Sequence, residues 1–316
     1  MTATLSRLFH ALGTMNTILV EQAEDYTEAA DALERAERRV LELNDTLSVF
    51  RPESEVSRLN ASAGCKDVGI GSDTMHLLKE SKRYSQATGG AFSITTRPLS
   101  ALWEINARCG TVPSRAEVEQ ALLLVNDEDI LLDEESGTAA LRRFGQAVDF
   151  GGIAKGYAAD ETRRILLEGG VTSALINLGG TVISLGKDRN VGIQHPDRCT
   201  GIAMGRVALC DSCAVTSGDY ERYFEVDGVR YHHILDTKTG YPSRSELRSV
   251  TLIGTSAIAL DAVSTAIFAL GAAAGLPLAD HFGAEFVVVT DALDVFCSEQ
   301  LRGNFSLLSA QQSTRA

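Results

Sequence analysis

Apolar residues between positions 28 and 47 recur three or four apart, as Leu33, Ala36, Val40, Leu43 and Leu47. That spacing predicts one face of an amphipathic helix, with Glu and Arg on the wet side. A second helix is predicted over 75–87, stopped by Gly89-Gly90, and a third over 114–124. Ser114 starts that third helix and Glu117 stands three residues on, the pattern of a capping box. Runs rich in β-branched and apolar residues predict strands over 14–20, 174–178, 182–185, 202–209, 220–226, 250–253, 285–290 and 295–297. The alanine-rich stretch 256–272 is apolar on most sides and predicts one buried helix. Strands and helices mix without strict alternation, so the expected class is α+β, a mixed, largely antiparallel sheet with packed helices. One domain over 1–303 is expected, with a smaller lobe inserted at 88–145 and a flexible tail over 304–316.

Composition narrows the function more than the fold. A net charge of −13 gives no basic surface for nucleic acid, although it leaves room for one local phosphate site built with a cation. No run is long and apolar enough to span a membrane, and residues 8–20 are too broken by polar positions to form a signal-peptide core. The expected location is therefore cytoplasmic as the sequence stands, or periplasmic if an export segment has been removed. Six cysteines in a chain this long are expected to be reduced. Cys210 and Cys213 form a lone C-x-x-C pair that His195 or His233 could complete as a zinc site, the lesser alternative.

The densest chemistry lies at Val148-Asp149-Phe150-Gly151-Gly152-Ile153-Ala154-Lys155-Gly156-Tyr157. It reads as a strand ending at Asp149, a glycine turn, and a helix over 154–167 with Lys155 in its first turn. The free N–H groups and positive end of such a helix suit a phosphate. The spacing is neither that of a Walker A loop nor that of a Rossmann fingerprint. Alone, it reads more readily as a tight connection carrying a surface lysine.

The motif has company. Residues 149–160 resemble the signature of the FAD:protein FMN transferase (ApbE) family, and further stretches match that family in the same order. They are Ser54-Glu55-Val56-Ser57-Arg58-Leu59-Asn60, Thr88-Gly89-Gly90-Ala91-Phe92 with Pro98-Leu99 and Trp103, and Asn177-Leu178-Gly179-Gly180. Thr216-Ser217-Gly218-Asp219-Tyr220, His233-Ile234-Leu235-Asp236, Thr239-Gly240-Tyr241-Pro242 and the pair Asp261 and Thr265 complete the series. The resemblance implies a Mg²⁺-dependent transferase that takes FAD as substrate. It would attach FMN through a phosphoester to a Ser or Thr of an acceptor flavoprotein and release AMP. An FAD pyrophosphatase and a non-catalytic flavin-binding protein are the alternatives.

The resemblance also implies roles for residues. Mg²⁺ would be held by the backbone carbonyl of Gly152 and by Asp261 and Thr265. Read from the residues alone, Asp261 and Thr265 share a helix face and offer hard oxygens. They also fit an Asp at a helix start and a Thr bonding back to its own helix. His233 would be the base or a phosphate-contacting group, with Asp236 orienting the next turn or assisting the metal. Of the adjacent pair His232 and His233, only one can face a given site. The flavin nucleotide would lie near Leu12, Phe50, Ala91, Phe92, Ser93, Asp149, Lys155 and Leu235. Two positions depart from the family pattern: Ser93 replaces an Asp, and Thr181 replaces an acidic or amide residue. If the usual Asp holds the nucleotide, Ser93 weakens FAD binding and Ser93→Asp restores it.

Overall fold

The protein is described here by a computed structural model covering residues 4–103, 105 and 111–308. Its centre is an eight-stranded sheet in which every pairing is antiparallel. Along the sheet run β1 (Leu5–Ala11), β2 (Thr14–Ala23), β6 (Val171–Leu178), β7 (Thr181–Leu185), β10 (Ser212–Gly218), β13 (Leu247–Gly254), β14 (Glu285–Thr290) and β15 (Val295–Cys297). The mixed sheet expected from the sequence is thus wholly antiparallel.

Helices α1 (Tyr26–Leu47), α6 (Ala154–Glu168) and α7 (Ala257–Leu270) pack side by side against this sheet. The predicted stripe of α1 is buried as Leu33, Ala36, Val40, Leu43 and Leu47, and Asp25 caps the helix by accepting from the N–H groups of Thr27 and Glu28. On the other side, β8 (Arg189–Gln194), β9 (Ala203–Leu209) and β16 (Phe305–Leu307) form a three-stranded sheet whose Ile193, Val207 and Leu209 pack with Ala214, Ile253 and Val287. The central strands are therefore apolar on both faces. The pairing of β16 with β9 moves the tail boundary beyond position 303. Residues 309–316 lie outside the described residues, as does Cys109.

The inserted segment is divided between two cores. Strands β3 (Val68–Gly69), β4 (Ile130–Asp133) and β5 (Thr138–Leu141) form a small sheet whose Ile130, Ala139 and Leu141 join the main core beside α2 (Glu55–Ala61) and α3 (Ser72–Ala87). Helices α4 (Arg97–Trp103) and α5 (Arg115–Leu122) instead enclose a satellite core of Leu99, Trp103, Val118 and Leu235. The predicted capping box of α5 is present. Trp103 Nε1 donates to Gly240 O at 2.8 Å, which anchors this core to the turn after His233.

Two expectations are corrected. The run ending at Asp149 is extended but belongs to no sheet, because the Asn60 side chain takes both backbone groups of Val148, at 2.8 and 2.9 Å. The helix expected over 256–272 breaks at Gly271, whose φ of 78° starts α8 (Ala272–His281). Residues 55–61, for which the sequence predicted no element, form α2, with Ser54 Oγ capping it. Among the described residues no helix is long and apolar enough to cross a membrane.

Candidate active site

The site grows out of the crossing of α6 and α7. Gly156 lets the helices touch, since a Cβ there would lie 2.3 Å from the Ala257 carbonyl oxygen. Contact puts the Gly156 N–H 2.9 Å from Asp261 Oδ2, so a free donor at the start of α6 meets a carboxylate of α7. Asp160, also from α6, accepts from the N–H groups of Ala257 and Ile258 at 3.2 and 3.0 Å and fixes the start of α7.

Asp261 is buried and Thr265 lies one turn further on the same face, as their spacing predicts. Thr265 Oγ1 donates to Asp261 O at 3.1 Å, which leaves its lone pairs available. Ser217 of β10 adds a hydroxyl 3.2 Å from Thr265 Oγ1 and 2.9 Å from Ser264 Oγ. Gly152 completes the corner. A Cβ on it would stand 3.6 Å from Thr265 Oγ1 and 3.3 Å from the Phe92 ring, so its bare backbone is what fits there. One buried carboxylate, one or two hydroxyls and adjacent backbone are hard oxygen donors, and they fit Mg²⁺. Among the described residues no group of three His, Cys, Asp or Glu gathers elsewhere as an alternative metal centre. Cys213 Sγ is instead buried against Gly254 O, at 3.2 Å, and Cys210 is exposed.

Lys155 reaches back over this corner. Its Nζ lies 3.2 Å from Gly151 O and 4.0 Å from Asp261 Oδ1. Asp149 shapes the turn in front of α6, its Oδ1 accepting from Gly151 N at 2.9 Å.

The adjacent histidines separate as the extended backbone requires. His232 ends β12 (Val229–His232), which pairs with β11 (Tyr223–Val226). Its ring is buried edge-on against Phe268, with Nε2 2.8 Å from Ser243 O. His233 turns the other way and is half-buried, with Nδ1 3.4 Å from Arg222 O. Loss of hydration pushes its pKa down, to about 3, with Arg222 the next contributor. The His233 imidazole is therefore neutral near pH 7. Asp236 is a turn former: Oδ1 accepts from Lys238 N at 2.8 Å and Oδ2 from Thr239 Oγ1 at 2.9 Å.

The residues expected around a flavin are more scattered. Phe92 packs at Gly152, and Ala91 and Leu235 are buried. Thr237 Oγ1 donates to Gly90 O at 2.7 Å and ties the 90–93 turn to the turn after His233. Leu12 sits at the left-handed tip of the β1–β2 hairpin, φ 54°, held by Asn44 Oδ1 near the end of α1. Phe50 follows α1 and is 79% exposed, with the Arg97 guanidinium 5.3 Å from its ring centroid. Ser93 is half-buried and bonds to Thr95 Oγ1 at 2.8 Å.

Sequence reasoning did not single out several neighbours. Ser217 and Asn60 lie inside stretches that matched the family, which was the available signal. Asp127 had none. It is buried, accepts from Ser85 Oγ at 2.7 Å, and leaves Oδ1 without a hydrogen-bond partner. Burial raises its carboxyl pKa against the opposing pull of Ser85, Ser93 and the nearby backbone N–H groups.

The comparisons with known proteins meet this geometry at one point. The model of the ApbE family matches residues 12–288, a span that contains every residue of the corner. The chain belongs to the ApbE family. A Klebsiella pneumoniae FAD:protein FMN transferase is 37% identical over 267 residues, covering 84% of each chain. One from Treponema pallidum is 30% identical over 321 residues, covering 96% of this chain and 87% of its own. The solved structure of the Thermotoga maritima ApbE protein superposes with a TM-score of 0.86 at 32% identity, covering 94% of this chain and 98% of that one. The flavin transferase ApbE of Vibrio cholerae gives 0.81 at 25% identity, covering 96% and 99%. The expected α+β class is thus the ApbE fold, over most of the chain.

Proposed function

We propose that this ApbE-family protein transfers FMN from FAD to a Ser or Thr hydroxyl of an acceptor flavoprotein and releases AMP, with Mg²⁺ at the Gly152, Asp261 and Thr265 corner. The observation that carries this reading is the corner itself: a buried carboxylate and a hydroxyl one helical turn apart, against bare glycine backbone and under a lysine. When bound there, Mg²⁺ would neutralise phosphate charge and polarise the bond to be broken.

The acceptor oxygen attacks the FMN-side phosphorus, the P–O bond to the AMP side breaks, and the electron pair leaves with AMP. His233 takes the proton of the attacking hydroxyl. With Nδ1 turned to Arg222 O, Nε2 is the nitrogen left to receive it. A depressed pKa keeps this ring unprotonated and ready, and the negative charge of a bound pyrophosphate opposes that depression. Lys155 offers a point charge to the phosphates, and Phe50 an open aromatic face for a flavin or adenine ring.

The test is to incubate the purified protein with FAD and Mg²⁺, with and without a Ser/Thr-containing acceptor. AMP release and the acceptor's mass are followed together. Transfer gives AMP together with an acceptor heavier by FMN. AMP and free FMN regardless of acceptor would replace the reading with FAD hydrolysis, and no AMP in either case would leave only flavin binding.

A further inference from the structure

The position of Lys155 has an electrostatic consequence beyond contact with a phosphate. Its side chain is 21% exposed and that of Asp261 is 5% exposed, so the charge pair is largely shielded from water. Asp261 Oδ2 is committed to the Gly156 N–H, and Lys155 lies on the Oδ1 side. Oδ1 is the oxygen with no hydrogen bond from the backbone, and it faces the side where Lys155 stands. The ammonium is tethered in place by Gly151 O, at 3.2 Å. A second carboxylate, Glu221, shares its surroundings: burial pushes its pKa up, with Lys155 and Arg222 opposing and Asp261 adding to the rise.

We infer that Lys155 is an internal counter-cation of Asp261 that competes with the divalent ion for Oδ1 and is released toward the anionic substrate when the ion binds. This rests on the metal assignment made above. Two consequences follow from charge alone. In the protein without nucleotide, Lys155 holds divalent-ion affinity down, because a positive charge stands within reach of the incoming ion. With FAD bound, the displaced ammonium pairs with phosphate, so ion and FAD strengthen each other's binding by the same factor. Lys155 is in this sense a positioning residue whose charge couples two ligands.

Mn²⁺ titrated into the nucleotide-free protein and followed by electron paramagnetic resonance reads this without turnover. Lys155→Met is expected to bind Mn²⁺ about tenfold more tightly than wild type, and Lys155→Arg to stay within about threefold because the charge is kept. In FAD titrations, Mn²⁺ should improve FAD affinity less for Lys155→Met than for wild type. Unchanged or weaker Mn²⁺ binding by Lys155→Met overturns the inference, as does equal tightening by Lys155→Arg. Asp261→Asn separates this from failure of the metal assignment. If Asp261→Asn binds Mn²⁺ as wild type does, Asp261 is no ligand, and the counter-cation role falls with the metal site.

Discussion

Asp261 and Phe50 both belong to the proposed site, yet one is 3% exposed and the other 79%. Around Asp261 each neighbour is fixed twice: Gly156 by helix packing and a hydrogen bond, Thr265 by its helix and Ser217. Around Phe50 and Ser93 the groups come from a hairpin tip, a helix exit and a turn, and Phe50 and Ser93 are hydrogen-bonded to residues two or three positions away. The first region fixes reacting groups and tolerates little change. The second meets a large, soft surface and has room to be rebuilt, and it holds the Ser93 departure, whereas Thr181 is buried in the central strand β7.

The sharpest break of that contrast is Asp261→Ala. Loss of more than about a thousandfold in AMP release is expected if the carboxylate holds the ion. The structure adds a stability cost of about 1–3 kcal/mol, since the Gly156 N–H loses its acceptor. A thermal melt beside the AMP assay checks both, and a folded variant with wild-type turnover would sink the assignment.

His233→Ala should lower kcat by roughly a hundred- to ten-thousandfold while FAD affinity stays close to wild type. His232→Ala should do the reverse, with a lower melting temperature and far smaller kinetic loss, because its ring fills space against Phe268. Stability also carries the mark of His233. The unfolded ring gains a proton near pH 6.5 and the native ring near 3, so the native state is favoured above 6.5 and loses that contribution as pH falls toward 3. Melting temperatures of the His233→Ala protein should fall less between pH 7 and 4.5 than those of wild type.

At the rim the effects shrink. Phe50→Ala is expected to weaken FAD binding about two- to tenfold, with kcat at saturation and the melting temperature unchanged. The smallest effect belongs to Ser93→Asp, and the structure reverses the sign drawn from the sequence. A carboxylate at 93 would face the buried Asp127, which Ser93 now helps to accommodate. FAD affinity should therefore not improve, and equilibrium dialysis showing a tenfold gain would restore the simpler reading from the family pattern.

The sequence was legible wherever one face of an element meets water. Helix α1, the capped α5 and strand β6 each carried their period openly. Strand β10 went unread because Cys213, Ala214 and Val215 are buried on both faces of the sheet, so no alternation marks them. The break at Gly271 was hidden by alanines on both sides of it. That Asp261 and Thr265 share a face followed from helical spacing, while their metal role came only from the family resemblance. Asp127 depends on a long-range approach to Ser93 that no local pattern encodes, and the side chain of Asn60 imitates a strand partner for Val148.

The bare Cα of Gly156 sets the distance between two helices and, through its N–H, the orientation of the carboxylate between them. An ion gripping Gly152 and Thr265 would therefore act as a rivet across that seam. Heat that parts α6 from α7 would release the ion in the same event, and added Mg²⁺ would raise the melting temperature with its concentration. A methyl group at 156 would wedge the seam open, so Gly156→Ala should lose both the heat resistance of the apoprotein and its response to Mg²⁺. On the proposed metal assignment, the grip on the ion and the cohesion of the helical layer would share this one seam.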